Sequence, residues 1–257
     1  MGPGFADVKH FYHFSADEYK DLISTIFFVS AIFFLFKWRG TDLQTTAYGI
    51  FYFIFILIIV AITVYIHEAA HKAVAIQRGF FATFNPWPAG GVIGILVSFV
   101  TAGLFPLLLL GGAKSKIDPQ LRLGKFRYGQ NYWAMSKISI AGPAANLILV
   151  WLLEPVFLYT QNPFVFTIIQ LNLLMAVFSL LPLPKLAKAK AHDSFMQSFE
   201  QGTDGLNIFA QSRWVWVWIF FGVLIYASLI LVAHIFAFFL ATILGGIVTL
   251  VYLSQMD

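Results

Sequence analysis

Two histidines four residues apart frame a glutamate in the run His67-Glu68-Ala69-Ala70-His71, which closes an almost uncharged stretch over residues 47–66. On a helix the two imidazoles share one face and can grip a single zinc ion, while Glu68 projects from a neighbouring face of the same turn and can handle a proton without entering the coordination sphere. That is hydrolytic chemistry, in which the ion activates water and polarises a carbonyl and Glu68 serves as general base. A centre of this kind needs a third protein ligand and an open fourth position. The candidates lie beyond Pro184: His192, Asp193, Glu200 and Asp204. Thr203-Asp204-Gly205 puts a carboxylate on a sharp turn just ahead of the apolar Leu206, Ile208 and Phe209, which favours Asp204, with Asp193 its principal rival. Asp204 also fits a plain helix N-cap, and Glu68 a plain i,i+4 ion pair with Lys72.

The elements that must position these residues are membrane helices. Of 257 residues, 60% are hydrophobic and 11% charged, and Phe alone contributes 29, which describes a polytopic membrane protein. Hydrophobic runs fall at about 22–36, 48–66, 92–110, 138–159, 164–183 and 214–253, the last long enough for two spans turning near His234. Residues 1–20 read as a short cytoplasmic N-terminus without the basic start, apolar core and cleavage site of a signal peptide. Residues 21–257 read as one membrane domain, with a catalytic core at about 48–213 and C-terminal helices at 214–253; the length leaves no room for a separate soluble domain. The absence of cysteine excludes disulfides, thiolate zinc ligands and cysteine nucleophiles. A net charge of +4 belongs to cytoplasmic loops rather than to a nucleic-acid partner.

Lys114, Lys116, Arg122, Arg127 and Lys137 cluster in one loop, and Lys185, Lys188, Lys190 and Arg213 in another. If every run crossed the membrane, the His71 end and the first of these loops would lie on opposite faces, against the cytoplasmic excess of Lys and Arg. The segment 90–112 holds Gly90, Gly91, Gly94, Gly103, Pro106, Gly111 and Gly112, a density of helix breakers suited to a re-entrant hairpin. Once that hairpin enters and leaves by one face, both basic loops and the N-terminus are cytoplasmic, and the span ending at Leu181-Pro182-Leu183-Pro184 emerges on the side of His71. The expected fold is an all-α polytopic membrane protein with about six transmembrane helices plus a re-entrant hairpin, in the cell membrane, its site toward the cytoplasm. Trp214, Trp216 and Trp218 read as interfacial anchors.

Four motifs, His67-Glu68-Ala69-Ala70-His71, Ala141-Gly142-Pro143-Ala144-Ala145-Asn146, Leu180-Leu181-Pro182-Leu183-Pro184 and Asp204-Gly205, in that order, resemble the site-2 protease family of intramembrane zinc metalloproteases. The resemblance implies a three-helix catalytic core in which His67, His71 and Asp204 bind Zn2+ and Glu68 acts on the water. It also implies the partners, a transmembrane protein substrate and the lipid bilayer, and the outcome, release of a regulatory fragment; the oligomeric state stays open. The chain departs from the family at two points. Residues 185–203 separate the Leu-Pro segment from Asp204-Gly205, which the family keeps a few residues apart. The family's Asn before Leu-Leu-Pro, thought to hold substrate near the metal, is Ser179 here, with Asn172 seven residues earlier on nearly the same helical face. Asn146, Asn172 and Ser179 are thus the candidate substrate-binding residues, although Asn146 and Gly142-Pro143 equally suit helix–helix contact. The segment with Gly79, Phe84 and Trp87-Pro88 is expected beside the active site, where a strand edge can hold an unwound substrate. Two alternatives remain: an inactive relative that binds membrane helices, and another membrane zinc protease whose third ligand is a glutamate, for which Glu200 is the candidate.

Overall fold

The structure, a computed structural model, describes residues 12–38, 46–117, 132–185, 202–233 and 235–255. Helix α1 (Ala16–Trp38) opens with a reciprocal capping box: Ser15 Oγ accepts from Glu18 N at 3.2 Å, and Ser15 N donates to Glu18 Oε2 at 2.9 Å. It therefore begins inside the segment expected to precede the membrane. Helix α2 (Thr46–Gln77) carries the apolar run and the histidine motif without a break. Its 32 residues rise roughly 48 Å, more than a hydrocarbon core of ~30 Å, so His67 and His71 sit toward its C-terminal end.

After α2 comes β1 (Phe80–Pro86), in which Phe80, Ala82 and Phe84 are buried at period two. It pairs antiparallel with β2 (Gly111–Ile117), from Phe80↔Ile117 to Pro86↔Gly111. Between the strands, α3 (Pro88–Val100) runs out, the chain reverses over 101–103, and residues 104–110 return. Because Pro86 and Gly111 are partners, this excursion leaves and returns at one place, and the run 92–110 is no single straight helix. The small sheet is the one departure from an all-helical chain among the described residues.

Helix α4 (Tyr132–Thr160) includes Pro143 and Pro155. Helix α5 (Pro163–Ser179) is capped by Asn162, whose Oδ1 accepts from Phe164 N at 2.8 Å, and it ends early because Pro182 and Pro184 cannot continue it. A short α6 (Asp204–Gln211) leads into α7 (Arg213–Ala233) and α8 (Ile235–Ser254). Gly245 rests on Gly222 and the Tyr226 ring meets Phe238, so α7 and α8 pack side by side as an antiparallel pair; the turn expected near His234 falls on a residue outside the described ones. Five helices among the described residues, α1, α2, α4, α7 and α8, are long and apolar enough to cross a membrane. Their outward faces expose Phe51, Ile54, Ile58 and Ile62 on α2 and Phe238, Phe239 and Ile243 on α8, a surface suited to lipid. The expected run 164–183 yields the shorter, 17-residue α5.

Val29, Ile32 and Phe33 of α1, Ile56, Val60 and Val64 of α2, and Leu171 and Met175 of α5 form the main core, joined by Leu108 and Leu110 of the returning limb. This core ties the return limb of the α3 excursion to α1, α2 and α5, of which α2 carries the histidines. Trp214 and Trp218 are exposed as interfacial anchors would be, but Trp216 is not: its Nε1–H donates to Leu180 O at 2.8 Å, fastening α7 to the end of α5. At 100° per residue, positions two apart face nearly opposite ways, so three alternating tryptophans cannot share one surface.

Candidate metal centre

His67 and His71 leave α2 with their ring centroids 4.8 Å apart, and their Nε2 atoms converge on one carboxylate oxygen, Asp204 Oδ2, at 3.5 and 3.2 Å. The three side chains are buried and offer ligand atoms within 4.8 Å of one another, so the group can hold a metal ion. Asp204, first residue of α6, is not the N-cap; Thr203 is, and the Asp204 side chain is spent on the histidines and on Ala113 N, which donates to Oδ1 at 3.2 Å. Burial alone would raise this carboxyl, but the adjoining His71 and His67 outweigh it and hold Asp204 well below the usual carboxylate range.

The insertion before Asp204 does not carry it away. Thr203 N donates to Leu183 O at 3.1 Å, Leu183 N donates to Thr203 Oγ1 at 3.1 Å, and Thr203 Oγ1 donates to Leu181 O. These bonds close a neck between Leu183 and Thr203, so the chain re-enters beside the Leu-Pro segment it left. Gly205 makes the approach possible, because a Cβ there would run into the Leu180 carbonyl. His192, Asp193 and Glu200 lie outside the described residues.

Hydrogen bonds behind the imidazoles decide what their front faces present. His71 Nδ1 lies 2.6 Å from Ile138 O; a carbonyl only accepts, so Nδ1 carries the hydrogen, and in the neutral ring Nε2 is then the nitrogen that presents a lone pair. That Nε2 is buried and faces the Asp204 carboxylate oxygen at 3.2 Å, so in the neutral ring two acceptors oppose one another, and the gap is filled either by a proton on Nε2 or by a metal ion bound to both. His67 Nδ1 lies 3.1 Å from Asn146 Nδ2, while Asn146 Oδ1 has no hydrogen-bond partner. Exchanging the two near-isosteric ends of that amide lets Oδ1 accept from Nδ1–H, which satisfies the orphaned oxygen and turns the His67 Nε2 lone pair forward as well. The space in front is backed by the bare backbone of α4: a Cβ on Gly142 would lie 2.5 Å from His67 Nε2 and nearer still to His71 Nε2. The residues present therefore fit a metal ion.

Glu68 is buried on the same turn, and the plain ion pair with Lys72 does not form. Lys72 Nζ is instead 2.7 Å from Glu18 Oε1 and donates to Ala82 O at 3.0 Å. Two further charges escaped the sequence reading. Glu18 was placed in the N-terminal segment, although Ser15-x-x-Glu18 is a legible capping box. Lys185, buried, donates from Nζ to Asn85 O and to Pro86 O, the latter at 3.2 Å; burial lowers its ammonium to about 8, opposed by Asp204 and Glu68. The backbone groups of Ile138 and Ala113 left no trace in side-chain type. Of the candidate substrate-binding residues, only Asn146 touches the histidines. Asn172 Nδ2 donates to Ile168 O at 2.9 Å and to Thr63 Oγ1 at 3.5 Å, one turn before His67. Ser179 Oγ donates to Ala176 O at 3.1 Å within its own helix.

Set against known proteins, the chain matches no protein-family model, no curated protein and no solved structure, so the site is read from its own geometry.

Proposed function

We propose that this chain is an intramembrane zinc endopeptidase of the site-2 protease kind, hydrolysing peptide bonds in transmembrane segments of substrate proteins. One observation carries the reading: His67, His71 and Asp204, from opposite ends of the catalytic core, meet in a buried cluster with Glu68 on the same turn. Two imidazole nitrogens and one carboxylate are the donor set of a catalytic site, since three protein ligands leave one position open. Zinc held by these three residues supplies Lewis acidity, activating water and polarising a carbonyl. The Ile138 carbonyl and Asn146 keep the ring nitrogens in the ligating tautomer. Glu68 accepts the proton from the attacking water and returns it to the leaving amine.

A helical substrate shields its own peptide bonds, and pairing as an extra strand exposes them. The hydrogen bond from Ala113 N to Asp204 supports this role for the small sheet, because it brings β2 against the metal-ligating carboxylate. In the same reading α3 and its return limb are a re-entrant hairpin, α5 is a sixth crossing, and the site opens toward the cytoplasm, the side of the lysine-rich loops. Cleavage there frees a regulatory fragment. The test is zinc analysis and cleavage of a model transmembrane substrate by the purified protein beside Glu68→Gln and His67→Ala. Glu68→Gln is expected to keep zinc and lose cleavage, and His67→Ala to lose both. Equal cleavage by all three refutes the proposal.

A further inference from the structure

We infer that Glu18 is a positioning residue for this hydrolysis: by holding the Lys72 ammonium, it keeps that ammonium off the general base Glu68. The inference rests on the proteolytic reading for the role of Glu68, and on geometry for the rest. Lys72 stands four residues after Glu68 on α2, the spacing and order at which a glutamate and a lysine pair best on a helix. Both are buried, and a buried ammonium must find an anion or carbonyl acceptors.

In the structure that demand is met away from Glu68. Glu18 Oε1 lies at 2.7 Å, Ala82 O at 3.0 Å, and the Phe14 and Phe81 rings at 4.5 and 5.1 Å from Lys72 Nζ. Glu18 is itself held by donors that owe nothing to Lys72: Ser15 N to Oε2 at 2.9 Å and Phe84 N to Oε1 at 3.1 Å. Its anchoring therefore does not depend on Lys72. With the Glu18 charge removed, the carboxylate next in line on the helix of Lys72 is Glu68, one turn earlier. A Glu68 carboxylate drawn into a pair with the ammonium one turn on is turned along the helix toward Lys72 and no longer stands free to take a proton from water beside the histidines.

The test uses the full-length protein and compares kcat, KM and zinc content for Glu18→Gln, Lys72→Gln and the double variant. Glutamines at both positions can still serve Ala82 O and Phe84 N, so the double variant keeps the strand-edge hydrogen bonds while removing the ammonium. Glu18→Gln is expected to retain zinc and KM and to lose more than about tenfold in kcat, within the ~10²–10⁴ that general base catalysis contributes. Lys72→Gln is expected to keep wild-type kcat, and the double variant to recover most of what Glu18→Gln lost. The inference is overturned if Glu18→Gln turns over like wild type, or if the double variant is no faster than Glu18→Gln. Loss of kcat by zinc-loaded Lys72→Gln overturns it as well, even where Glu18→Gln does not fold. Failure of the proteolytic reading looks different, as wild type then does not cleave. In that event the structure of Glu18→Gln decides: Lys72 Nζ within hydrogen-bond distance of Glu68 supports the inference, and Lys72 remaining on Ala82 ends it.

Discussion

Gly142→Ala is expected to empty the metal centre while leaving the fold standing. The new methyl carbon would lie 2.5 Å from His67 Nε2, 2.7 Å from His67 Cδ2 and closer still to His71 Nε2. A zinc ion bound to these nitrogens sits at ~2.0–2.1 Å, so the methyl group claims the volume the ion needs. To restore the 3.4 Å at which ordinary contact begins, each nitrogen would have to retreat by about 1 Å. The rings cannot do so freely, because His71 Nδ1 is fastened to Ile138 O at 2.6 Å and His67 Nδ1 to Asn146 at 3.1 Å. Alanine meanwhile favours the helix over glycine by ~1 kcal/mol, which offsets part of the strain. Losing a partner that merely orients a ligand costs ~10–100-fold in metal affinity, and a methyl group in the ion's own space costs more. Zinc affinity by chelator competition is therefore expected to fall by more than ~100-fold, with circular dichroism and a thermal melt as controls for folding. A folded Gly142→Ala protein that binds zinc like wild type would show that the Nε2 atoms do not face α4, and the ligand geometry would be wrong.

Asn146→Ala is expected to weaken zinc binding by ~10–100-fold, whereas Asn146→Asp, which keeps an acceptor for His67 Nδ1–H, largely preserves it; equal affinity for Asn146→Ala and wild type would refute the tautomer argument. Replacing residues 186–201 by a short Gly-Ser bridge is expected to leave zinc stoichiometry intact, because the neck is closed at Leu183 and Thr203. Elemental analysis of the shortened protein checks this, and loss of the metal would mean that the segment helps to build the site. Thr203→Val removes the hydroxyl that bridges Leu181 O and Leu183 N, and is expected to lower stability by about 1–3 kcal/mol in denaturant unfolding; an unchanged midpoint would show that the neck holds without it.

Much of this architecture is local and hence readable along the chain. The apolar runs that became α1, α2, α4, α7 and α8 declare themselves by composition, since a helix in lipid has to be apolar over its whole length. His67, Glu68 and His71 share a turn by helical arithmetic alone, and the prolines at 182 and 184 announce the end of α5. The strands were harder, because seven residues of alternating burial in β1 are a weak signal beside a 32-residue helix, and their pairing spans the whole α3 excursion.

Side-chain chemistry and spacing were enough to name the histidine pair, its glutamate and a membrane setting, because those properties belong to neighbouring residues on one helix. They could not choose among the acidic residues beyond Pro184, show that the insertion returns to its own starting point, or reveal that Lys72 answers to Glu18. Each of those outcomes depends on groups far apart in sequence being brought within about 3 Å by packing, the range in which hydrogen bonds form. Backbone carbonyls and amides such as Ile138 O and Ala113 N take part in that selection, and every residue type carries them alike, so only the folded chain distinguishes the ones that matter.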